Sequence, residues 1–508
     1  MGSRVGSTPS IAATPREHAT RRPVSRSADS ERTRIIALVI ALTALAAILR
    51  FGTLDVQSIW LDESATMILV HRGLSGLLSH LPASESAPPL YYVLVWAWTK
   101  VFGAGVLGFR SFSALVGTLT IPVMYLAGAR VSRRVGLWAA TIATVNPAMY
   151  YYSQEARGYA LLILFSAAAF ALWQRALQEP STRRLALWSG MSILALLTHY
   201  FAVFLFVPEA IVLARRLDWR RVIVPAGAVV LVGLALVPLA LRERADGKSN
   251  WIQGSSLISR LAQVPKQYLI GLYGPLEIYS TLAAGLLAAG AMVLLLRRGE
   301  AREKRLARDV AIVAVTALAL PALLALTHAL DIFNGRNVMA TWPPAAVLVA
   351  IGLGVTRAKR TGAALGAGLC VISLLVIYGI DTTPGYQRDD WRGVARALQA
   401  PAADRVIVAP EHGSSPLYIY MPTSQNLTTP STSTHEVAFV ALRTQRTGRT
   451  PLPPAVPTAP PPGFRLVSVQ RSEAFAVSRF SAAGNATVSV SSLRRLSGEP
   501  KSDVFLQR

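Results

Sequence analysis

What most constrains this chain is its alternation of apolar runs with clusters of arginine. Runs at or near the about 17–25 residues needed to cross a bilayer occupy 35–53, 108–128, 135–152, 158–174, 185–199, 200–214, 222–240, 278–296, 309–328, 338–355 and 362–380. Five basic clusters lie between them. They are Arg130, Arg133 and Arg134; Arg175, Arg183 and Arg184; Arg215, Arg216, Arg220 and Arg221; Arg297, Arg298, Arg302, Lys304, Arg305 and Arg308; and Arg357, Lys359 and Arg360. Short loops rich in Lys and Arg stay on the cytosolic side of a membrane. If all five share that side with the N-terminal segment, eleven spans satisfy every loop, with the N-terminus inside and the C-terminus outside. The expected fold is therefore an all-α polytopic membrane protein.

Composition agrees. Of 508 residues, 52% are hydrophobic and 15% charged, against about 25% charged in soluble proteins. A net charge of +24 would point to nucleic acid in a soluble domain. Here the excess lies in short loops between apolar runs, so the partner it implies is the bilayer, and nucleic acid is set aside. The lone Cys370 can build neither an intramolecular disulfide nor a thiolate metal site. Residues 1–34, polar and with seven arginines, read as a disordered basic cytosolic tail. They are too long and polar to open a secretory signal, so Ile35 begins an uncleaved first span.

One apolar segment has to be left out of the span count. Counting Pro88–Gly103 as a span would put every later basic cluster outside. It is short, begins with proline and is rich in Trp and Tyr, which fits a helix lying along the membrane surface. Residues 54–107 are thus expected to form a large external loop, within a transmembrane domain covering 35–380. Beyond Tyr378 the spanning runs end. Residues 381–508 read as a small external α/β domain, with a helix pattern at Asp389–Leu398 and strand patterns at Arg405–Ala409, Val437–Leu442, Arg465–Val469 and Ala486–Val490. A Pro-rich insertion, Thr450–Pro462, reads as a loop.

With that topology, polar residues gather on one face. Asp62 and Glu63 sit in the first external loop, in Leu61-Asp62-Glu63-Ser64, where an acid at the lipid edge requires water, a partner or a substrate. Arg110 opens the second span from outside. Ser153-Gln154-Glu155-Ala156-Arg157-Gly158-Tyr159 forms the next external turn, Thr198-His199-Tyr200 the following one, and Arg336 caps another. Singly, each arginine at a helix end reads as a snorkelling side chain and the histidine as an ordinary hydrogen-bonded one. Together, two acid sites, three arginines and a histidine suit sugar transfer from a polyprenyl phosphate. The leaving phosphate is already an anion and needs cations rather than a general acid. The acceptor hydroxyl needs one base, whereas a glycosidase requires two opposed carboxylates. Asp62 is the candidate base, acting with inversion at the anomeric carbon, and Arg110, Arg157 or Arg336 the candidate holder of the lipid phosphate. Glu63, Glu155, Tyr159 and His199 complete the candidate substrate-binding set.

At these residues the chain resembles the GT-C superfamily of integral-membrane glycosyltransferases, in the branch holding protein O-mannosyltransferases and the lipid A aminoarabinose transferase. The resemblance runs from about 35 to 400. It rests on Leu61–Ser64, Pro88-Pro89-Leu90-Tyr91-Tyr92, Gly108-Phe109-Arg110-Ser111-Phe112-Ser113-Ala114-Leu115, Tyr151–Tyr159, and Arg336 followed by Pro343. It implies that Asp62 is the catalytic base, that the Pro-Pro segment lies along the outer surface, and that Arg110 lies near the site. It places Glu155 at the second acidic position, where some relatives hold a metal or the acceptor. Glu-Ala-Arg stands here in place of their aspartate-containing pattern, which argues against a metal, although a divalent ion at Asp62 and Glu155 stays open. A composition rich in Ala, Leu, Arg and Pro suggests a high-GC bacterium and its plasma membrane. There the donor would be decaprenyl-phospho-mannose or decaprenyl-phospho-arabinose, and the acceptor an envelope glycan, lipid or protein. The alternatives are a lipid-linked sugar flippase or transporter, which would carry acids at mid-span and inverted repeats, and a scaffold whose external domain binds envelope polymer. The acids are expected to avoid mid-span positions, and a scaffold leaves the acids at 62, 63 and 155 unexplained.

Overall fold

The structure, a computed structural model, describes residues 26–247, 250–399, 404–443 and 455–508, together with Gly2 and Gly6. Most of the expected tail, and residues 450–454 of the Pro-rich insertion, lie outside the described residues. From Arg26 the chain is helical, so the first helix begins before Ile35. Every apolar run listed by sequence is helical, and a helical membrane domain is followed by a small sheet domain.

The elements run α1 (Arg26–Phe51), α2 (Leu61–His71), α3 (Gly73–Ser84), α4 (Leu90–Phe102), α5 (Val106–Ala129), α6 (Arg133–Val145), α7 (Pro147–Ser153) and α8 (Tyr159–Gln178). There follow α9 (Thr182–Thr198), α10 (Val203–Arg216), α11 (Trp219–Ala245), α12 (Leu257–Ile270), α13 (Glu277–Arg298), α14 (Ala301–Leu326), α15 (Trp342–Leu353) and α16 (Lys359–Thr382). Among the described residues seven helices, α1, α5, α8, α11, α13, α14 and the segment of α16, are long and apolar enough to cross a membrane. Large apolar side chains stand exposed along their middles. Val224, Leu231 and Leu234 on α11 and Leu282, Leu286 and Leu296 on α13 are exposed, as a lipid-facing surface requires. At 13 residues, α4 is about 20 Å long, as short as α6 and α15, so length alone does not set it apart from them.

Three features depart from the sequence expectation. The run 135–152 is broken into α6 and α7 at Asn146-Pro147. Proline lacks the donor that would continue the helix and pushes the residue before it out of the α region. The freed carbonyls of Ala143 and Thr144 are taken by the buried Arg50 guanidinium at 2.9 and 3.2 Å. Second, α12 was not anticipated. Arg260 on α12 holds Asp331 at 2.6 Å and donates to the Phe333 carbonyl, which anchors the loop before α15. Third, the acids do not all avoid the spans. Glu209, inside α10, is fully buried and accepts from Trp188 Nε1 at 2.7 Å. A tryptophan N–H is what makes an acid tolerable there.

The basic clusters meet at one end of the bundle. Arg133 pairs with Glu31 at 3.0 Å, Arg216 with Asp309 at 2.8 Å and Arg357 with Glu300 at 3.6 Å. Arg134 donates to the Lys359 carbonyl. The loops carrying Asp62, Glu155 and Arg336 meet one another instead.

The C-terminal part comprises α17 (Trp391–Leu398), β1 (Arg405–Ala409), α18 (Ser414–Tyr420), β2 (Ser424–Asn426), β3 (Ser431–Leu442), β4 (Arg465–Arg471), β5 (Phe475–Ser489), α19 (Val490–Ser497) and β6 (Asp503–Gln507). The six strands are ordered β2-β6-β1-β3-β5-β4, with β1 and β3 parallel and the other pairs antiparallel. Along β1, Ile407 and Ala409 pack with Trp391 and Leu417 on one face, and Val406 and Val408 with Phe439 and Leu493 on the other, the period of two a strand imposes. This domain sits on the loop between α1 and α2. The Tyr420 hydroxyl accepts from Ile59 N–H at 3.0 Å and meets Ser58 Oγ at 3.2 Å. Arg392 pairs with Asp55 at 2.9 Å and donates to the Gln57 carbonyl.

Candidate active site

Asp62 and Glu63 lie in the first turn of α2, where the N-terminal end of the helix dipole favours acids. Neighbours on a helix project about 100° apart, and the two acids have separate fates. Glu63 is fully buried. Arg110 grips it with Nε at 2.8 Å and Nη2 at 2.6 Å, Arg388 Nη1 approaches at 3.1 Å, and the Ala156 N–H donates at 3.0 Å. Burial alone would raise its pKa, but the Arg110 and Arg388 guanidiniums and these hydrogen bonds hold the carboxyl below its usual range.

Arg110 is equally committed. Besides Glu63 it donates to the carbonyls of Leu54, Gln57 and Ser58 at 2.8, 2.7 and 2.9 Å. A side chain 1% exposed with five such bonds has nothing left for a phosphate. In this geometry the Arg110–Glu63 pair staples the loop between α1 and α5 to α5, and neither side chain faces open space. Arg157 is also engaged, through Nη1, with Glu85 Oε2 at 2.5 Å, the Asp62 carbonyl at 3.3 Å and the Thr66 hydroxyl at 3.3 Å.

Asp62 faces the other way. Its Oδ2 accepts from Arg336 Nη1 at 2.9 Å, and the two side chains remain 27% and 23% exposed, the most open ion pair among those that gather here. The Arg336 guanidinium lies 5.0 Å from the ring centre of Trp60 and 5.6 Å from that of Trp251, a stacking that suits its flat, weakly hydrated group. The loop beneath is fixed closely. A Cβ on Gly335 would lie 1.8 Å from Gln267 Oε1 of α12, so a larger residue next to Arg336 would have to displace that side chain.

Glu155, between α7 and α8, is 1% exposed, and neither carboxylate oxygen has a hydrogen-bond partner among the described residues. Burial pushes its pKa up to about 7, with Arg388 and Arg336 opposing the rise and Asp62 and Glu63 adding to it. Tyr159 opens α8 with its ring 4.9 Å from Tyr152 and 5.8 Å from His199. His199 caps a short turn, its Nδ1 accepting from Phe201 N–H at 3.4 Å. Burial, helped by the charge of Arg157, lowers its pKa to about 4, so it is neutral and stands at the rim of the site.

Two members of the site escaped the sequence reading. Arg388, in the link from α16 to α17, stacks on Tyr151 at 4.4 Å and donates to the Gln154 carbonyl at 3.2 Å as well as to Glu63. It thereby ties both acid-bearing segments to the link that leads into the sheet domain. Glu85 stands three residues before the Pro88-Pro89-Leu90-Tyr91-Tyr92 segment. Its position beside that motif was the available signal; for Arg388 it was being an arginine just beyond the outer end of a span. As to a divalent ion, no group of three or more His, Cys, Asp or Glu side chains able to hold a metal occurs among the described residues. Asp62 is taken by Arg336, and Glu155 lies in the field of two guanidiniums. This donor set does not fit a metal.

Residues 86–241 match the dolichyl-phosphate-mannose-protein mannosyltransferase family. No curated protein matches the sequence. Among solved structures, ArnT from Cupriavidus metallidurans bound to undecaprenyl phosphate superposes with a TM-score of 0.52 at 12% identity, over 87% of this chain and 97% of that one. The same protein in the apo state gives 0.50 at 13% identity, over 78% and 85% of the two chains. The S. cerevisiae Pmt1-Pmt2 complex bound to the sugar donor aligns over 42% of this chain and 34% of that one, at 19% identity and a TM-score of 0.33. The chain has the fold of the GT-C membrane glycosyltransferases, and its segment 86–241 matches their protein mannosyltransferase family.

Proposed function

We propose that the protein is an inverting glycosyltransferase that moves a sugar, mannose or arabinose, from a polyprenyl phosphate to a cell-envelope acceptor outside the membrane. The observation that carries this is the Asp62–Arg336 pair, a base and a fork-shaped cation side by side and half open. A lipid phosphate entering here takes Arg336 as its counter-ion and releases Asp62. The freed carboxylate removes the proton of the acceptor hydroxyl as its oxygen attacks the anomeric carbon. The bond from that carbon to the phosphate oxygen breaks, the electron pair leaves with the phosphate, and Arg336 holds the charge that develops. The configuration inverts because attack and departure are on opposite faces. Of the three arginines expected at the phosphate, Arg110 and Arg157 are occupied by Glu63 and Glu85, which leaves Arg336.

Purified protein in liposomes should transfer labelled mannose or arabinose from the polyprenyl phosphate to envelope acceptors and release the lipid phosphate. Arg336→Ala should weaken donor use about 10- to 150-fold, the value of a charge-assisted contact of about 1.5–3 kcal/mol. Arg336→Lys should recover only part, since a point charge replaces a fork. A vesicle that flips the glycolipid with no transfer would instead favour the transporter.

The orientation proposed is eleven spans, residues 1–34 cytosolic and 381–508 external. It is supported by the contacts that hold the basic loops at the end opposite Asp62. Cysteine substitutions at Ser86 and Ser414 should label from outside; labelling of Ser414 from the cytosol alone would reverse the orientation.

A further inference from the structure

Around the Asp62–Arg336 pair, several buried polar atoms have no hydrogen-bond partner among the described residues, Arg388 Nε and Gln267 Oε1 among them, and three groups from separate segments bear on a ligand. They are both carboxylate oxygens of Glu155, the Tyr152 hydroxyl on α7, and Trp60 Nε1 just before α2. Glu155 and Tyr152 are 1% and 2% exposed. Buried polar groups are nearly always satisfied, and an unpaired carboxylate is the most expensive exception. Their proximity to the reacting pair argues that they serve a ligand. Trp60 packs its ring against the Arg336 guanidinium. The charges of Arg336 and Asp62 act on Glu155, and that of Arg336 on Tyr152.

The chemistry of the three groups selects the ligand. Glu155 offers acceptors and calls for O–H donors. The indole N–H offers a donor, and the tyrosine hydroxyl can act either way. A phosphate, which only accepts, cannot supply the O–H donors that Glu155 lacks in its ionised form. A prenyl chain satisfies none of the three. A sugar ring, whose hydroxyls both donate and accept, satisfies all of them. We infer that Glu155, with Tyr152 and Trp60 Nε1 beside it, forms the subsite that holds the hydroxyls of the donor's glycosyl unit and so selects the sugar. This rests on the transferase reading above, with the phosphate at Arg336 and the sugar directed toward Glu155.

The test compares lipids with and without a sugar. Binding to the full-length protein in detergent is measured by ligand-induced thermal shift, using polyprenyl phosphate and its mannosyl and arabinosyl derivatives. Wild type should bind the bare lipid and bind a glycosylated one more tightly. Glu155→Gln should weaken the glycosylated lipid about 10- to 100-fold, as for loss of hydrogen bonds to a charged group, and leave the bare lipid within about two-fold. Tyr152→Phe should show the same selectivity on a smaller scale, about 2- to 10-fold. Without ligand, Glu155→Gln should melt no lower than wild type, because it removes a buried charge that has no partner. Equal losses for bare and glycosylated lipid, or no loss for either, overturn the subsite while leaving the transferase intact. A wild-type protein that binds none of the three lipids overturns the transferase reading, and the subsite with it.

Discussion

Replacing Asp62 with asparagine should lower turnover by about 10²–10⁴, the usual contribution of general-base catalysis, with little change in protein yield or in donor affinity. The structure makes each part of this expectation specific. Asparagine keeps an oxygen that can accept from Arg336, so the geometry of the pair survives. With side chains 27% and 23% exposed, the ion pair is partly screened by solvent, which brings its contribution toward the about 0–1 kcal/mol of surface pairs. Melting should therefore hardly move. Donor affinity should hold or rise slightly, because the substitution removes a negative charge from the guanidinium that the phosphate must reach. Rates are read by transfer in liposomes, affinity by thermal shift, both on matched amounts of protein. Normal turnover in Asp62→Asn would shift the base to Glu155, the other carboxylate not already bound up. If the amides at both positions transfer normally, the protein is not a base-assisted transferase. Glu63 is not an alternative base, since its oxygens are filled by Arg110, Arg388 and Ala156.

The helices were legible because hydropathy over a run needs no knowledge of its neighbours, and the basic clusters mark which ends belong together. β1 was legible for a similar reason, as a short apolar run that is buried throughout, whereas β2, β6 and most of β5 carried no such run. What sequence could not supply is which charge meets which. Arg110 and Arg336 look alike as arginines at helix ends. One is sealed by Glu63 and three carbonyls, the other stands half open beside Asp62. That distinction is made by contacts across 47 and 274 residues of sequence, and no local pattern encodes it. The same holds for Arg388, which reaches back 325 residues to Glu63, and for Glu209, whose placement inside a helix is tolerable only because Trp188 lies opposite. α12 was missed because its apolar stripe is interrupted by Arg260 and Lys266, and its role, bracing the Arg336 loop through Asp331 and Gln267, is wholly tertiary.

Arg110→Ala should damage the protein in the opposite way to Arg336→Ala. Removing one partner from a buried ion pair strands the other, which costs about 3–5 kcal/mol. Both side chains here are at most 1% exposed, so solvent screening gives no relief. Arg388 at 3.1 Å compensates only in part, because it approaches one oxygen and is shared with the Gln154 and Tyr151 carbonyls. The same substitution releases the carbonyls of Leu54, Gln57 and Ser58, the stretch that leads into Trp60 and Asp62. A lower melting temperature and poor yield are therefore expected first, and lost activity only as their consequence. Glu63→Gln should behave alike and more mildly. It keeps the shape and one acceptor, but it leaves two guanidiniums facing a neutral amide that presents an N–H where they need an oxygen. Arg110→Lys should fall between, since one ammonium cannot span the Glu63 oxygens and three carbonyls together. Thermal unfolding in detergent beside donor binding separates the two arginines: Arg110 variants should lose stability, and Arg336 variants binding. An Arg110→Ala protein that melts like wild type and fails only with the donor would return Arg110 to the phosphate site, where its place at the opening of α5 first suggested it.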